Sequence, residues 1–412
     1  MNANTNINSN TNTNINIRFL YLAVGAICLF FAGIIYAWSI VKVPLINELG
    51  WDPSAVNFNY TVMLSCFCLG GMLPGLLSGK MSPRLIIICA GVVAGAGYFI
   101  ASRLAGSCIF LLYVAYGFMG GIGIGASYNQ IITMVNSWFP EKRGLSGGIL
   151  MMSFGISTMV LGKAAERFFA MEAVGWRNTY LIIGVVICLL MLIAAFVLKF
   201  PAEGVKLPSS VKGKVNNISS TDYTPLQMMR RRNFWFFFIA LVLMSFLGSG
   251  VISTGKELII SIGASPEDAT TIVGILSISN GLGRVLIGFI FDKVGFIRAK
   301  LIAGIANILG GLCLVLAVVF SSVPVGVAAF CLAGASYGSC PTLESFMCSA
   351  FYGIKYFSIN MAIINMHLML ASIAAPFVTK MHDITSGYLV PAIIIMCCTV
   401  VSFILNMCVR KA

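Results

Sequence analysis

The sequence predicts an all-α membrane protein of twelve transmembrane helices arranged as two six-helix bundles. Three observations carry that reading. The residues are 59% hydrophobic and only 9% charged, far from the average of soluble globular chains. Apolar runs long enough to cross a bilayer recur throughout, at 19–41, 56–78, 85–102, 108–135, 145–165, 178–198, 233–262, 270–291, 299–321, 325–347, 357–379 and 388–409. The halves on either side of one polar interval also repeat each other's motifs.

Residues 1–17 are rich in Asn and Thr and contain no Lys or Arg. They lack the basic leader of a signal peptide, so residues 1–18 read as a short disordered cytoplasmic tail before a retained first helix. Residues 19–200 then form the first bundle and 233–412 the second. Between them, 201–232 is rich in Ser, Lys, Asn and Pro and reads as a cytoplasmic linker, with a short helix at Leu226–Arg232. The sequon at Asn217 is a chance match in that location.

The net charge of +13 suggests a polyanionic partner until its distribution is considered. With the amino terminus inside, Arg18, Lys80, Arg84, Lys142, Arg143, the linker lysines, Arg230, Arg231, Arg232, Lys293, Arg298, Lys300, Lys355, Arg410 and Lys411 are cytoplasmic. Only Lys42, Arg103, Arg167, Arg177 and Lys380 fall on the other side. This positive-inside bias places both termini in the cytoplasm of a multi-pass cell-membrane protein and argues against nucleic acid. The 13 cysteines sit mostly within apolar runs without metal-ligand spacing, and behave as small apolar residues.

The internal echo is specific. Gly75 to Arg84 (GLLSGKMSPR) after the second run parallels Gly288 to Arg298 (GFIFDKVGFIR) after the eighth, and Ser127-Tyr128 parallels Ser336-Tyr337, each about 210 residues apart. A six-plus-six repeat is the layout of transporters that rock two bundles around a midplane site. The basic turns carrying Lys80 and Arg84, and Asp292, Lys293 and Arg298, read as gating loops. Asp292 is placed to meet a helix amino terminus or a basic residue, whereas the matching position in the first half is Gly79.

One charge interrupts the eighth run. Arg284 lies eight residues before Asp292, about 12 Å along the helix, near the midplane of a hydrocarbon core roughly 30 Å thick. A permanent cation there marks a place for an anion. Depth counting brings Tyr128, Tyr337 and His367 to a similar level. Arg284 can grip both oxygens of a carboxylate, and the tyrosines can donate hydroxyls while offering apolar rings. His367 can donate a hydrogen bond, carry a proton, or bond Asn365 or a neighbouring helix.

Other charges have local explanations. Lys256 and Glu257 are read as snorkelling to the interface in preference to lining an entrance. Lys163 and Glu166, three residues apart, are read as a pair on one helix face. Glu344 is placed to carry a proton or partner a basic residue, with a structural role preferred. No Walker loop, metal triad or nucleophile elbow appears, so no enzyme and no cofactor is expected. The glycine-rich Gly117 to Gly125 lies within a helix, where small residues serve close packing.

Several stretches together resemble the oxalate/formate antiporter family of the major facilitator superfamily, which is monocarboxylate-transporter-like. They are Gly33 to Ser39 (GIIYAWS), Asn136 to Leu145 (NSWFPEKRGL), Gly175 to Tyr180 (GWRNTY), Thr224 to Gln227 (TPLQ) with Phe234-Trp235, and Gly283-Arg284 with Asp292-Lys293. The likeness spans nearly the whole chain. It implies the major facilitator fold, two bundles with inverted repeats, with Arg284 binding substrate and Tyr36, Tyr128 and Tyr337 at cavity positions. His367 stands where the oxalate carrier has a second fixed cation, and Ala333 and Ile364 stand where it has cavity tryptophans. One permanent cation and a less aromatic cavity favour a monocarboxylate such as formate, lactate or pyruvate.

The resulting expectation is a secondary transporter of a small organic anion, a monomer in the bilayer, coupled to protons or a counter-anion. An oxalate/formate-type antiporter, a proton-coupled exporter of a larger amphipathic compound, and a non-transporting membrane sensor are the alternatives.

Overall fold

A computed structural model describes residues 3–106, 108–140, 143–202, 221–353 and 355–409; the side chains of 3–16, 143–144, 292 and 358 are outside the description. Among the described residues there are helices and turns but no strands. Twelve helices are long and apolar enough to span a membrane: α1 Ile17–Val41, α2 Pro53–Leu76, α3 Pro83–Ser102, α4 Ile109–Ser137, α5 Leu145–Ala170, α6 Gly175–Val197, α7 Arg232–Ser261, α8 Pro266–Phe291, α9 Lys293–Val319, α10 Val323–Tyr352, α11 Ile359–Thr385 and α12 Leu389–Cys408. Each covers one of the predicted apolar runs. In α1 the helical backbone begins at Ala3, inside the stretch expected to be a disordered tail. Extending an existing helix gains one hydrogen bond per residue fixed, without a new nucleation cost.

Helix starts follow local chemistry. Asp52 accepts a hydrogen bond from Ala55 N and precedes Pro53, Ser82 accepts from Leu85 N and precedes Pro83, and Ser265 accepts from Asp268 N and precedes Pro266. A side-chain acceptor before a proline satisfies an orphan donor, while the proline removes another and presets the helical φ. The linker helix Pro225–Met229 carries a full capping box from Thr224 and Gln227. In the first turn of α9 the chain bends at Gly295, φ 78°, a conformation that L side chains rarely adopt.

Packing explains the glycines of α4. A Cβ added at Gly125 would sit 2.1 Å from the Phe67 carbonyl oxygen, and one at Gly121 would sit 2.5 Å from that of Met63. The backbones of α2 and α4 therefore touch, as expected for small residues at membrane helix interfaces. Around this contact α3 packs on α4 and α6, and α1 on α5; in the other half α7 packs on α12 and α10, and α9 on α10 and α12. The halves meet where α5 faces α8 and where α2 faces α11. One apolar core runs through both halves, and a second lies in the second half around Phe234, Phe237, Phe296 and Tyr352. Outward-facing positions such as Leu189, Ile193, Phe196, Phe289 and Ile404 are exposed and apolar. No water competes with an apolar side chain in lipid, so such a surface belongs to a membrane protein.

The end of the linker docks on the second half. Tyr223 N donates to the Tyr352 carbonyl at 2.9 Å, Asn360 Nδ2 donates to the Tyr223 carbonyl at 3.0 Å, and Asp222 accepts from Lys355 N at 3.0 Å. We call this side of the molecule the linker face and the opposite side the far face.

Candidate functional site

Arg284 is buried in α8, 6% exposed, at the border between the two halves. Its Nη1 points at the Tyr128 hydroxyl of α4 across a long 3.4 Å contact, and its buried Nε has no hydrogen-bond partner. Tyr36, Tyr128, Tyr337, Cys340 and Glu344 are near enough to interact electrostatically with the guanidinium. Among the described residues no carboxylate lies within ion-pair distance of it. A buried guanidinium with donors to spare can receive an anion.

A cavity of about 570 Å³ reaches this cation, lined by Tyr36, Phe67, Tyr128, Phe154, Arg284 and, toward the linker face, Gly79. The rings form a continuous wall. Tyr36 meets Phe154 at 5.2 Å between centroids, Tyr128 meets Phe154 at 5.0 Å, and Phe67 meets Tyr128 at 5.4 Å. Tyr337 packs edge-on behind Tyr36 at 6.3 Å, with its buried hydroxyl unpartnered. The four sequence-predicted residues Arg284, Tyr36, Tyr128 and Tyr337 thus lie together, although α1, α4, α8 and α10 bring them from distant parts of the chain.

His367 lies elsewhere. It is fully buried and does not border the cavity. Its Nε2 meets Ser245 Oγ of α7 at 3.1 Å, and its Nδ1 lies 3.2 Å from the Ile364 carbonyl and 3.3 Å from Glu344 Oε1. The helix of α11 breaks at Met366, and Asn365 and Leu368 on either side of His367 line the cavity while the ring does not. Ala333 and Ile364 are also buried away from the cavity lining. The rings that wall the cavity come from the first half, where Phe67 and Phe154 join Tyr36 and Tyr128. Neither phenylalanine carried a signal in the sequence: each is an apolar residue in an apolar run.

The two faces differ. At the linker face the cavity mouth is bordered by exposed Gly75, Leu76 and Gly79 and by Phe357. Lys80, Arg84, Lys293 and Arg298 are exposed there. Arg84 stacks on Phe196 at 4.0 Å and Lys293 lies over Phe289 at 4.2 Å, each on its own half. The side chain of Asp292, expected to serve as a latch, lies outside the described residues. The far face is closed by contacts between halves. Lys42, 1% exposed, donates to Asn57 Oδ1 at 2.8 Å and to the Ser253 carbonyl at 2.7 Å, and pairs with Glu257 at 2.8 Å. Asn57 donates to Thr379 Oγ1 at 2.6 Å, and Thr61 donates to the Ser372 carbonyl at 2.8 Å. Lys256 pairs with Glu166.

These last contacts correct the expectation for the four charges. Glu166 does not pair with Lys163, and Lys256 and Glu257 do not snorkel. The far ends of α5 and α7 come together, and a carboxylate from another helix is a better partner for a buried ammonium than the bilayer interface.

Comparison with known proteins places the geometry in context. The model of the Major Facilitator Superfamily matches residues 22–376. An uncharacterized MFS-type transporter of Escherichia coli (strain K12), YhjX, is 25% identical over 356 residues, covering 85% of each chain. The oxalate:formate antiporter of Oxalobacter formigenes is 28% identical over 280 residues, 67% of this chain and 63% of that protein. Monocarboxylate transporter 1 of Homo sapiens is 30% identical over 131 residues, 32% of this chain and a quarter (25%) of its own length. Among solved structures, the nucleoside transporter NupG superposes with a TM-score of 0.69 over 95% of this chain and 99% of its own, at 13% identity. A bacterial homolog of the lysosomal transporter Spinster, inward-facing and unoccupied, gives a TM-score of 0.68 over 95% and 97%, at 16% identity.

Proposed function

The chain belongs to the Major Facilitator Superfamily, and from that premise we propose that it is a secondary active transporter of a small organic anion, a monocarboxylate of the formate, lactate or pyruvate class. It is a membrane transporter and not an enzyme. The observation that carries the anion reading is Arg284, a buried cation with no carboxylate partner among the described residues, standing at the inner end of a cavity between the halves. Tyr128 completes the clamp on a substrate carboxylate, and Tyr36, Phe67 and Phe154 hold its carbon skeleton. Relatives named as an oxalate:formate antiporter and as a monocarboxylate transporter support a carboxylate substrate. A single permanent cation at the cavity favours a monoanion over a dianion. His367 leaves the substrate-binding set and Phe67 and Phe154 enter it.

Transport proceeds by alternating access, the halves 19–200 and 233–412 rocking about the site. With the basic linker face in the cytoplasm, the conformation described above is open inward and closed outward. The gating loops carrying Lys80, Arg84, Asp292, Lys293 and Arg298 latch the inner face when it closes. Coupling is to a proton or to a counter-anion.

The test is uptake of radiolabelled formate, lactate, pyruvate and oxalate into proteoliposomes, with and without an inward proton gradient and with internal anion preloaded. Uptake of a monocarboxylate that is lost in Arg284→Ala supports the reading. Undiminished transport by that variant overturns it. The size of the cavity favours one competitor, export of a larger amphipathic compound. That reading predicts that Arg284→Lys keeps activity, whereas a two-point carboxylate grip predicts severe loss.

A further inference from the structure

Behind the cavity wall lie two titratable side chains that the anion site does not use. Glu344 of α10 and His367 of α11 are each 0% exposed, with His367 Nδ1 3.3 Å from Glu344 Oε1. Neither borders the cavity, but Pro341, one turn before Glu344, and Leu368, next to His367, do. The pair therefore lies within one helical turn of residues that line the space reaching Arg284.

The hydrogen-bond inventory shows what the pair lacks and what it holds ready. Both Glu344 carboxyl oxygens are buried without a hydrogen-bond donor in suitable geometry among the described residues. A buried carboxylate left this way is costly unless a proton or a close cation neutralises it. The Ile364 carbonyl, 3.2 Å from Nδ1, can only accept, so Nδ1 carries hydrogen. On the other side, Ser245 Oγ lies 3.1 Å from Nε2 and also 3.5 Å from Cys340 Sγ. Turned toward Nε2, the hydroxyl donates to a neutral imidazole. Turned toward Cys340, it accepts from an imidazolium. Both protonation states of the ring are thus provided with partners.

The charged and titratable groups facing the pair are few. Arg284 comes from α8, Cys68 from α2, and Cys340 and Cys348 from α10; α7 presents Ser245. Arg284 is the permanent charge among them. With the cavity empty, Arg284 and an ionised Glu344 sum to zero. A substrate carboxylate on Arg284 adds one negative charge to this buried cluster, and one proton on the Glu344–His367 pair restores zero. A cluster that is neutral both empty and fully loaded crosses the low-dielectric interior at least cost.

We propose that Glu344 and His367 form a one-proton binding site that loads when an anion occupies Arg284. The coupled charging rests on the anion reading of Arg284; the existence of the proton site does not. The proton comes from hydronium in the cavity, leaving water behind, and forms an O–H bond at Glu344. It is released on the opposite side after the halves reorient and the anion has left.

The test is an infrared titration of the purified protein in lipid, followed through the protonated-carboxyl band. The wild type is expected to show one band from a buried carboxyl that appears on acidification and is lost in Glu344→Gln. His367→Asn shifts its midpoint, because the ring Nδ1 that lies 3.3 Å from the carboxyl oxygen is removed. Glu344→Asp, which keeps the acid, retains a shifted band and guards against misreading a misfolded Gln variant. A band that Glu344→Gln leaves in place, or the absence of any titrating buried carboxyl in the wild type, overturns the proposal. In proteoliposomes, stimulation of uptake by an inward proton gradient is expected to be lost in Glu344→Gln, and persistence of that stimulation also overturns it. If the wild type shows the band but carries none of the four anions, the proton site stands and the anion reading falls.

Discussion

Arg284 is worth what its geometry allows. A guanidinium offers two parallel donors to one carboxylate, and a lysine at the same place keeps the charge but loses the fork. Hydrogen bonds to charged groups contribute about 1.5–3 kcal/mol each, so Arg284→Lys is expected to weaken anion affinity ten- to a hundred-fold, measured as a rise in the apparent KM for uptake. Tyr128→Phe is milder. It keeps the ring against Phe67 and Phe154 and removes only the hydroxyl, at about 1 kcal/mol or roughly fivefold in the same assay. A larger loss in Tyr128→Phe than in Arg284→Lys would place the main grip on the phenol. At this scale much was legible. The interruption of an apolar run by one arginine pointed to the site, the depth count brought Tyr128 and Tyr337 to its level, and Tyr36 came from the family resemblance alone. His367 was misplaced because a count of residues gives depth and not direction.

At the scale of the helix the decisive contact is backbone on backbone. Gly125 lies so close to the Phe67 carbonyl of α2 that a Cβ would stand 2.1 Å from the oxygen, and Phe67 also forms part of the cavity wall. Gly125→Val therefore forces α4 from α2 and moves the aromatic wall with it. Overpacking typically costs about 1–3 kcal/mol, and the expected readout is a lowered melting temperature of the solubilised protein. Gly148→Ala is the control, since a Cβ there meets only Val285 Cγ2 at 3.8 Å. An unchanged melting temperature in Gly125→Val would mean the two helices separate at little cost. The pattern GFMGGIGIG made tight packing readable in the sequence. Which neighbour it packs on was not, because small residues name no partner.

Over the whole molecule, the faces are held differently. The far face is bound by Lys42 with Glu257, Asn57 with Thr379, and Lys256 with Glu166, while the cavity opens toward the linker face. Lys42 is the centre of the closed side: its ammonium is buried and reaches α2 and α7 at once. Lys42→Met removes the tie and is expected to shift the population toward conformations open at the far face, by tenfold for every 1.4 kcal/mol lost from the closed state. Spin labels placed across that face would report a longer distance between α1 and α7. An unchanged distance distribution would show that Lys42 does not hold the halves together.

The sequence by itself determined the number of apolar spans, the division into halves around the linker, and the position of Arg284 along its helix. These follow from hydropathy and from the fixed rise of a helix, quantities that accumulate along the chain and need no knowledge of neighbours. Only the tertiary structure decided that Glu166 pairs with Lys256 and not Lys163, that His367 turns onto Glu344, and that Phe67 and Phe154 wall the cavity. It also decided which face stands open. Such choices depend on the rotation of each helix about its axis and on which remote helix it meets. A buried charge or ring settles with whichever partner the packing brings within a few ångströms, however far away that partner lies in the chain.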